Sequence, residues 1–101
     1  MRQYDHPAPE TLAMTEVLRA LSDPLRLAIV RRLDREGAQT CAALIGERPK
    51  SSMSHHFQVL RDAGVIHTRI EGVTHYNTVR RDVLDTRFPG LMDAILIARA
   101  D

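Results

Sequence analysis

The segment SSMSHHFQVLRDAG, residues 51–64, restricts the possible folds more than any other part of the chain. Met53, Phe57, Leu60 and Gly64 recur at the spacing of one helix face, which predicts an amphipathic helix with that face in a core. The opposite face carries the polar residues Ser51, Ser54, His55, Gln58 and Arg61. Short hydrogen-bonding side chains at the start of such a helix raise the question of what they contact.

The apolar pattern changes its period directly after this helix. Residues 65–70 alternate between apolar and polar side chains, and so do residues 74–79. Alternation is typical of a half-buried strand, and a glycine between two such runs is a turn signal. The pattern therefore predicts a β-hairpin with Gly72 at its tip, and it leaves the register of the two strands open.

Three helices are predicted on the N-terminal side of residue 51. The first covers about residues 10–21 and has an apolar stripe formed by Met14, Val17, Leu18 and Leu21. A second helix should begin at Pro24, with Asp23 as its cap, and end at Gly37. Thr40 should cap a short third helix over residues 41–46.

Proline and glycine also divide the remainder of the chain. Residues 47–49 should form a tight link, because proline cannot continue a helix. A last helix should begin near Arg81, break at residues 88–90 and resume from Leu91 to about Ala100. Its second half is apolar nearly all round and needs cover on several sides. A monomer of 101 residues can hardly supply that cover, so the pattern favours self-association.

Length and composition indicate one small, mainly helical domain. The 101 residues have room for a flexible arm, residues 1–8, and a single folded domain over residues 9–101. Only four residues are aromatic, which favours helices over a sandwich or barrel. The single cysteine, Cys41, excludes an internal disulfide framework. Since neither a leader nor an apolar run of about 18 residues is found, we expect a cytoplasmic protein.

Basic residues and histidines are concentrated in one third of the chain. Residues 47–81 contain six basic and three acidic side chains, a net charge of +3 compared with +1 for the whole chain. Four of the five histidines lie in the same window. This distribution suits a polyanionic partner, although an ordinary solvated face would look much the same.

The order of the elements indicates the architecture. Four helices, a hairpin and a last helix (α-α-α-α-β-β-α) are the order of a winged helix-turn-helix, a mainly α fold with a small β-hairpin. In this fold the second helix of the helix-turn-helix motif, here residues 51–64, lies in the major groove of DNA. Short serine side chains let the helix N-terminus approach a phosphate, and longer groups one turn on reach base edges.

Two motifs add a family resemblance. The runs LSDPLR, residues 21–26, and SHHFQVLRDAGVI, residues 54–66, followed by a hairpin with Tyr76, resemble the ArsR/SmtB family over nearly the whole chain beyond the arm. The resemblance implies a homodimeric repressor with its first and last helices in the interface, which agrees with the surplus apolar surface. The interface residues that we predict are Leu12, Val17, Leu91, Ile95 and Leu96.

The metal sites implied by the resemblance do not match this sequence. Many family members release DNA when a metal ion binds, and one of their sites uses a cysteine pair on the helix before the turn, where Cys41 stands alone. The other site uses histidine and acidic ligands on the C-terminal helices, and residues 80–101 contain no histidine or cysteine. Zinc prefers such donors in a closed tetrahedral set. We therefore predict no metal site and no cofactor, and the sequence leaves open an unknown small-molecule or redox effector.

The predicted DNA contacts come from the helix and the hairpin, and they are Lys50, Ser51, Ser52, Ser54, His55, Gln58, Arg69 and His75. Lys50 and Arg69 should contact phosphates, which position a protein on the duplex without reading its sequence. Base discrimination should come from His55, Gln58 and the serines. His56 adjoins the apolar face of the same helix and is expected to be structural.

Other functions fit the residues less well. Ser54 and His55 are neighbours that point in different directions, and no acid is placed to orient the ring, so we expect neither a catalytic residue nor an enzyme. Two alternatives on the same fold are a dimeric protein-interaction module and a redox or metal sensor that depends on Cys41. The simplest interpretation of Cys41 is a small buried hydrophobic residue.

Overall fold

The structure is a computed structural model that describes residues 2–98. Within them a 3-10 turn, Pro9–Thr11, precedes six helices and three strands. The helices are α1 (Met14–Leu21), α2 (Pro24–Glu36), α3 (Cys41–Ile45), α4 (Lys50–Asp62), α5 (Arg81–Arg87) and α6 (Leu91–Ile97). The strands are β1 (Gln39–Thr40), β2 (Ile66–Glu71) and β3 (Thr74–Val79). This order confirms the predicted winged helix-turn-helix.

Side-chain caps begin α2 and α3 where the sequence predicts them. Asp23 Oδ2 accepts hydrogen bonds from the backbone N–H groups of Leu25 and Arg26, at 2.9 and 3.0 Å. These backbone donors, that of Arg26 above all, lower the pKa of the Asp23 carboxyl. The hydroxyl of Thr40 accepts from the N–H of Ala43 at 3.0 Å. Both caps satisfy donors that a helix N-terminus leaves without an internal partner.

The first helix is shorter than predicted, and a different face of it is buried. α1 begins at Met14, after Leu12 and Ala13 in extended backbone. Leu12 and Val17, predicted as interface residues, are only 4% and 0% exposed and lie in the core of the single chain. They have almost no exposed surface in the single chain, and their contact with a second copy stays a prediction. Met14 and Leu18 are the exposed apolar residues of α1.

The hairpin has one strand more beside it than the sequence predicts. β2 and β3 pair from Ile66–Val79 to Glu71–Thr74, so Gly72 and Val73 form a two-residue loop. Strand β1 pairs with the other side of β3, and the sheet has the order β1-β3-β2. A strand of two residues is too short to show alternation, so sequence periodicity could not predict β1.

The C-terminal break is found at the predicted place. α5 ends at Arg87, Gly90 has a φ of +83°, and α6 begins at Leu91. The predicted extension of this helix to Ala100 lies outside the described residues. Arg81 at the start of α5 pairs with Asp34 and Asp85 at 3.1 and 3.3 Å. It also pairs with Asp93 of α6, and this partner raises the pKa of the guanidinium.

The apolar face of α4 lies in the core as predicted, but one residue of its polar face does too. Met53, Phe57 and Leu60 are each at most 3% exposed. Arg61, which the helical pattern puts on the solvent side, is only 6% exposed. The N-terminal arm covers it, since the ring of Tyr4 lies 4.1 Å from its guanidinium carbon.

The N-terminal arm has no helix or strand over residues 2–8, yet it contacts β2 along its length. The side chain of Gln3 accepts from the N–H of Ile70 at 2.9 Å and donates to its carbonyl at 3.1 Å. His6 Nε2 accepts from the N–H of Thr68 at 2.9 Å. These bonds cover the open edge of β2, which would otherwise present unpaired backbone groups. The flexibility of the arm stays a prediction.

Candidate nucleic-acid interface

Helices α3 and α4 form the helix-turn-helix pair. Gly46 ends α3 at a φ of +58°, and residues 47–49 link it to α4. The N-cap of α4 is Pro49, which provides no side-chain hydrogen bond to the first turn. The first-turn N–H groups therefore have no side-chain cap, in contrast with those of α2 and α3. Such a terminus favours an anion.

The six α4 residues predicted to contact DNA are all exposed: Lys50, Ser51, Ser52, Ser54, His55 and Gln58. Among residues 2–98, the side chains of Lys50, Ser51, Ser54 and His55 have no hydrogen-bond or ion-pair partner. Gln58 differs from these four. Its amide donates to Asp62 at 2.8 Å, and its carbonyl oxygen accepts from Arg61 at 3.3 Å.

The two predicted contacts on the hairpin also have partners within the chain. Arg69 pairs with Glu71 at 2.6 Å, and its guanidinium lies 5.0 Å from the centre of the Tyr76 ring. The half-buried ring of His75 shares a hydrogen bond of 2.7 Å, through Nδ1, with the hydroxyl of Tyr4. To contact a duplex, each side chain must either leave its partner within the chain or bind DNA while it keeps that partner.

His56 has the structural role that the sequence predicts. Its half-buried ring shares a hydrogen bond of 3.1 Å, through Nδ1, with Arg26 of α2. The carboxylate of Asp23 lies 4.0 Å from the same nitrogen. His56 thus ties the start of α2 to the middle of α4, while its neighbour His55 is left facing solvent.

A buried chain of polar side chains lies behind α4, and it was not predicted from the sequence. Arg61 Nη1 donates to the hydroxyl of Thr68 at 3.4 Å, and this hydroxyl donates to Asn77 Oδ1 at 2.7 Å. Asn77 Nδ2 in turn donates to Cys41 Sγ at 3.2 Å. Thr68 and Asn77 are 0% exposed. A signal was available for Thr68, because strand alternation puts it on the same face as Ile66.

A pair of histidines was also missed. The rings of His6 and His67 stack with their centroids 4.1 Å apart. Burial lowers the pKa of His6, and the neighbouring positive groups, His67 first among them, act in the same direction. Nothing in the sequence pattern brings the arm to this strand.

Metal-ligating residues are dispersed through the part of the chain that the structure describes. No group of three or more histidine, cysteine, aspartate or glutamate residues within 2–98 is placed to hold one metal ion. In the same range, no helix is long and apolar enough to cross a membrane.

Comparisons with known proteins agree with the geometry of the site. Residues 21–69, from the end of α1 into β2, match a family described as a helix-turn-helix domain. The chain is 36% identical to the HTH-type transcriptional regulator YceK of Bacillus subtilis over 83 residues, which cover 79% of this chain and 83% of YceK. This chain belongs to the helix-turn-helix transcriptional regulators.

Solved structures of other transcriptional regulators show the same fold as this chain. The ArsR family transcriptional regulator RHA00566 superposes with a TM-score of 0.67 at 23% identity, over 85% of this chain and 98% of that one. The transcriptional repressor PagR of Bacillus anthracis superposes with a TM-score of 0.64 at 24% identity, over 82% and 88%. The predicted resemblance to the ArsR family holds at the level of the fold, and the predicted DNA-binding regulator function is confirmed.

Proposed function

We propose that this helix-turn-helix regulator is a homodimeric repressor that places α4 of each copy in the major groove of a pseudo-palindromic operator. The observation that carries the proposal is the exposed face of α4, where short polar side chains surround a helix N-terminus without a side-chain cap. The name of PagR, a transcriptional repressor of the same fold, supports repression rather than activation.

The contacts differ in what they contribute. Lys50 and Arg69 contact phosphates, together with the first-turn N–H groups of α4, and this part of the affinity falls steeply with salt. His55, which has no competing partner among the described residues, reads a base edge. Gln58 reads a base only after it gives up its bonds to Asp62 and Arg61.

The proposed dimer interface combines the first and last helices. Met14 and Leu18 on α1 are 45% and 42% exposed, and Ile97 on α6 is 77% exposed. The predicted residues Leu91, Ile95 and Leu96 are half-buried on the same helix as Ile97. Exposed apolar groups of this size at both ends of the chain favour burial against a second copy.

The first experiment identifies the operator and tests its reading. Genomic fragments that bind the purified protein are selected, the enriched site is footprinted, and a library of its variants is sequenced after selection. His55→Ala should relax preference at one operator position by about 1–3 kcal/mol. Arg69→Ala should weaken all sequences alike and reduce the salt slope by about one unit per lost phosphate contact. Exposed Arg35, on the C-terminal turn of α2, gives a control variant, Arg35→Ala, that should bind normally.

The second experiment tests assembly and the direction of control. Sedimentation equilibrium should give a dimer, and Leu18→Glu should shift it toward monomer and weaken operator binding. A promoter fused to the selected site should be less active when the protein is expressed. A monomeric wild type, or a promoter that becomes more active, would contradict the proposal.

A further inference from the structure

A cleft of about 690 Å³ lies between α4, α3, the tip of the hairpin and the N-terminal arm. Ala42, Ile45 and Phe57 form its apolar part, and Tyr4 and His75 form its aromatic side. Tyr4 closes this side through the bond of its hydroxyl to His75. The volume lies in the range of pockets that take small organic molecules.

The cleft contains two cations and no acid. Arg61 and Lys50 line it, and none of its lining residues is an aspartate or glutamate. Arg61 is only 6% exposed, and its hydrogen-bond acceptors, Thr68 and Gln58, are both neutral. Within residues 2–98 no carboxylate lies within ion-pair distance of its guanidinium.

A buried cation with neutral acceptors keeps most of the cost of its desolvation. The ring of Tyr4 over the guanidinium repays part of that cost through a cation–π contact. A counter-ion in the cleft would offset the rest of the desolvation cost of Arg61. Arginine holds a carboxylate best, because its planar fork matches two carboxylate oxygens.

The geometry points to the cleft as a binding site for a small organic anion, with its carboxylate on Arg61 and its apolar body against Ile45 and Phe57. Lys50, Ser54 and Gln58 line the cleft and also belong to the proposed DNA-contacting face. The bound anion and the duplex therefore compete. This second step rests on the proposed function, whereas the binding of the anion does not.

Binding is tested without DNA, with benzoate as the probe. The full-length protein, uniformly labelled with nitrogen-15, is titrated at constant ionic strength, and its amide signals are followed. Benzoate should shift the signals of Tyr4, Ile45 and Arg61 in a saturable manner. Benzamide, a neutral molecule of the same shape, should bind at least tenfold more weakly, and inorganic phosphate should not reproduce the shifts.

Three variants locate the site. Arg61→Met keeps the aliphatic stem without the charge and should weaken benzoate binding at least tenfold. Ala42→Trp fills the cleft from an exposed position on α3, so it decides the question if Arg61→Met does not fold. Arg35→Met removes an exposed arginine that does not line the cleft and should bind benzoate as the wild type does.

Several results would overturn the inference. They are shifts confined to residues outside the cleft, equal responses to benzoate and benzamide, full binding by Ala42→Trp, and shifts with phosphate equal to those with benzoate. If only duplex DNA perturbs Arg61, the counter-ion is a DNA phosphate and the inference is wrong.

The competition is measured separately. Saturating benzoate should raise the dissociation constant for the operator at least fivefold over potassium chloride of equal ionic strength, and Ala42→Trp should remove the difference. Unchanged operator affinity with benzoate bound would overturn the competition. A protein that binds benzoate but no DNA would contradict the proposed function and leave the anion site standing.

Discussion

Gly64 lies where α4 turns into β2, and replacing it with alanine should strongly destabilise the fold. Its φ is +82°, a conformation that costs a residue with a Cβ about 1–2 kcal/mol. An ideal Cβ at this position would lie 2.3 and 2.9 Å from the two methyl carbons of Leu12. Leu12 is 4% exposed and has little room to move, so the clash adds about 1–3 kcal/mol. We expect Gly64→Ala to lower the free energy of unfolding by about 2–5 kcal/mol in total.

The two contributions can be separated with variants of the same chain. Gly72 at the hairpin tip has a φ of +63° and no atom within 4 Å of an added Cβ. Gly72→Ala should therefore cost only the backbone part, about 1–2 kcal/mol. Leu12→Ala should cost about 2–5 kcal/mol alone, but it makes room for the new methyl group. The double variant Leu12→Ala/Gly64→Ala should then be about 1–3 kcal/mol more stable than the sum of the single effects predicts.

The assay is urea denaturation followed by far-ultraviolet circular dichroism at one protein concentration, because the proposed dimer would unfold at a midpoint that depends on concentration. Equal slopes with urea are needed for the free energies to be compared. Gly64→Ala and Gly72→Ala of equal stability, or single effects of Leu12→Ala and Gly64→Ala that simply add, would refute the steric argument.

Three more predictions concern hydrogen bonds inside the chain. Asp23→Ala removes the acceptor for two N–H groups of α2 and should lower the free energy of unfolding by about 1 kcal/mol, measured with urea; no loss would show that the cap contributes nothing. The pKa of His6 is lowered below its ordinary 6.5 in the folded chain, so the unfolded chain binds the proton more readily. The contribution of neutral His6 to the free energy of unfolding is therefore fully present above about pH 6.5 and is lost as the pH falls through the lowered pKa. His6→Gln keeps a hydrogen-bond acceptor and should make Tm depend less on pH between pH 7.5 and 5. An unchanged slope of Tm with pH would show that another group causes the dependence. Thr68→Val leaves buried Asn77 without its donor and should cost about 1–3 kcal/mol, whereas Thr78→Val on the neighbouring strand should be nearly neutral, and equal effects of the two would contradict the buried chain.

The N-terminal arm contacts both the strand β2 and the cleft beside α4. Gln3 and His6 bond to the backbone of β2, while Tyr4 closes the cleft against α4. A duplex or an anion that enters the cleft therefore meets a wall made by the arm. Changes in Tyr4 should alter ligand binding and DNA binding together.

Local signals in the sequence determined most of the architecture of this protein. Proline at residues 24 and 49, the caps Asp23 and Thr40, and the glycines at the ends of helices act through bonds a few residues long. The 3.6-residue apolar period of α4 and the alternation after Gly64 show which face of each element meets the core, so that face can be predicted from the sequence. The polar face of α4 was predicted for the same reason.

The tertiary structure alone decided which groups meet across the chain. Arg61 belongs to the polar side of its helix by spacing, and it is buried because Tyr4, 57 residues earlier, covers it. Leu12 and Val17 were indistinguishable by pattern from surface apolar residues, and packing against the rest of the chain put them inside. Periodicity reports the direction of a side chain relative to its own element, whereas burial depends on what a distant segment places over it.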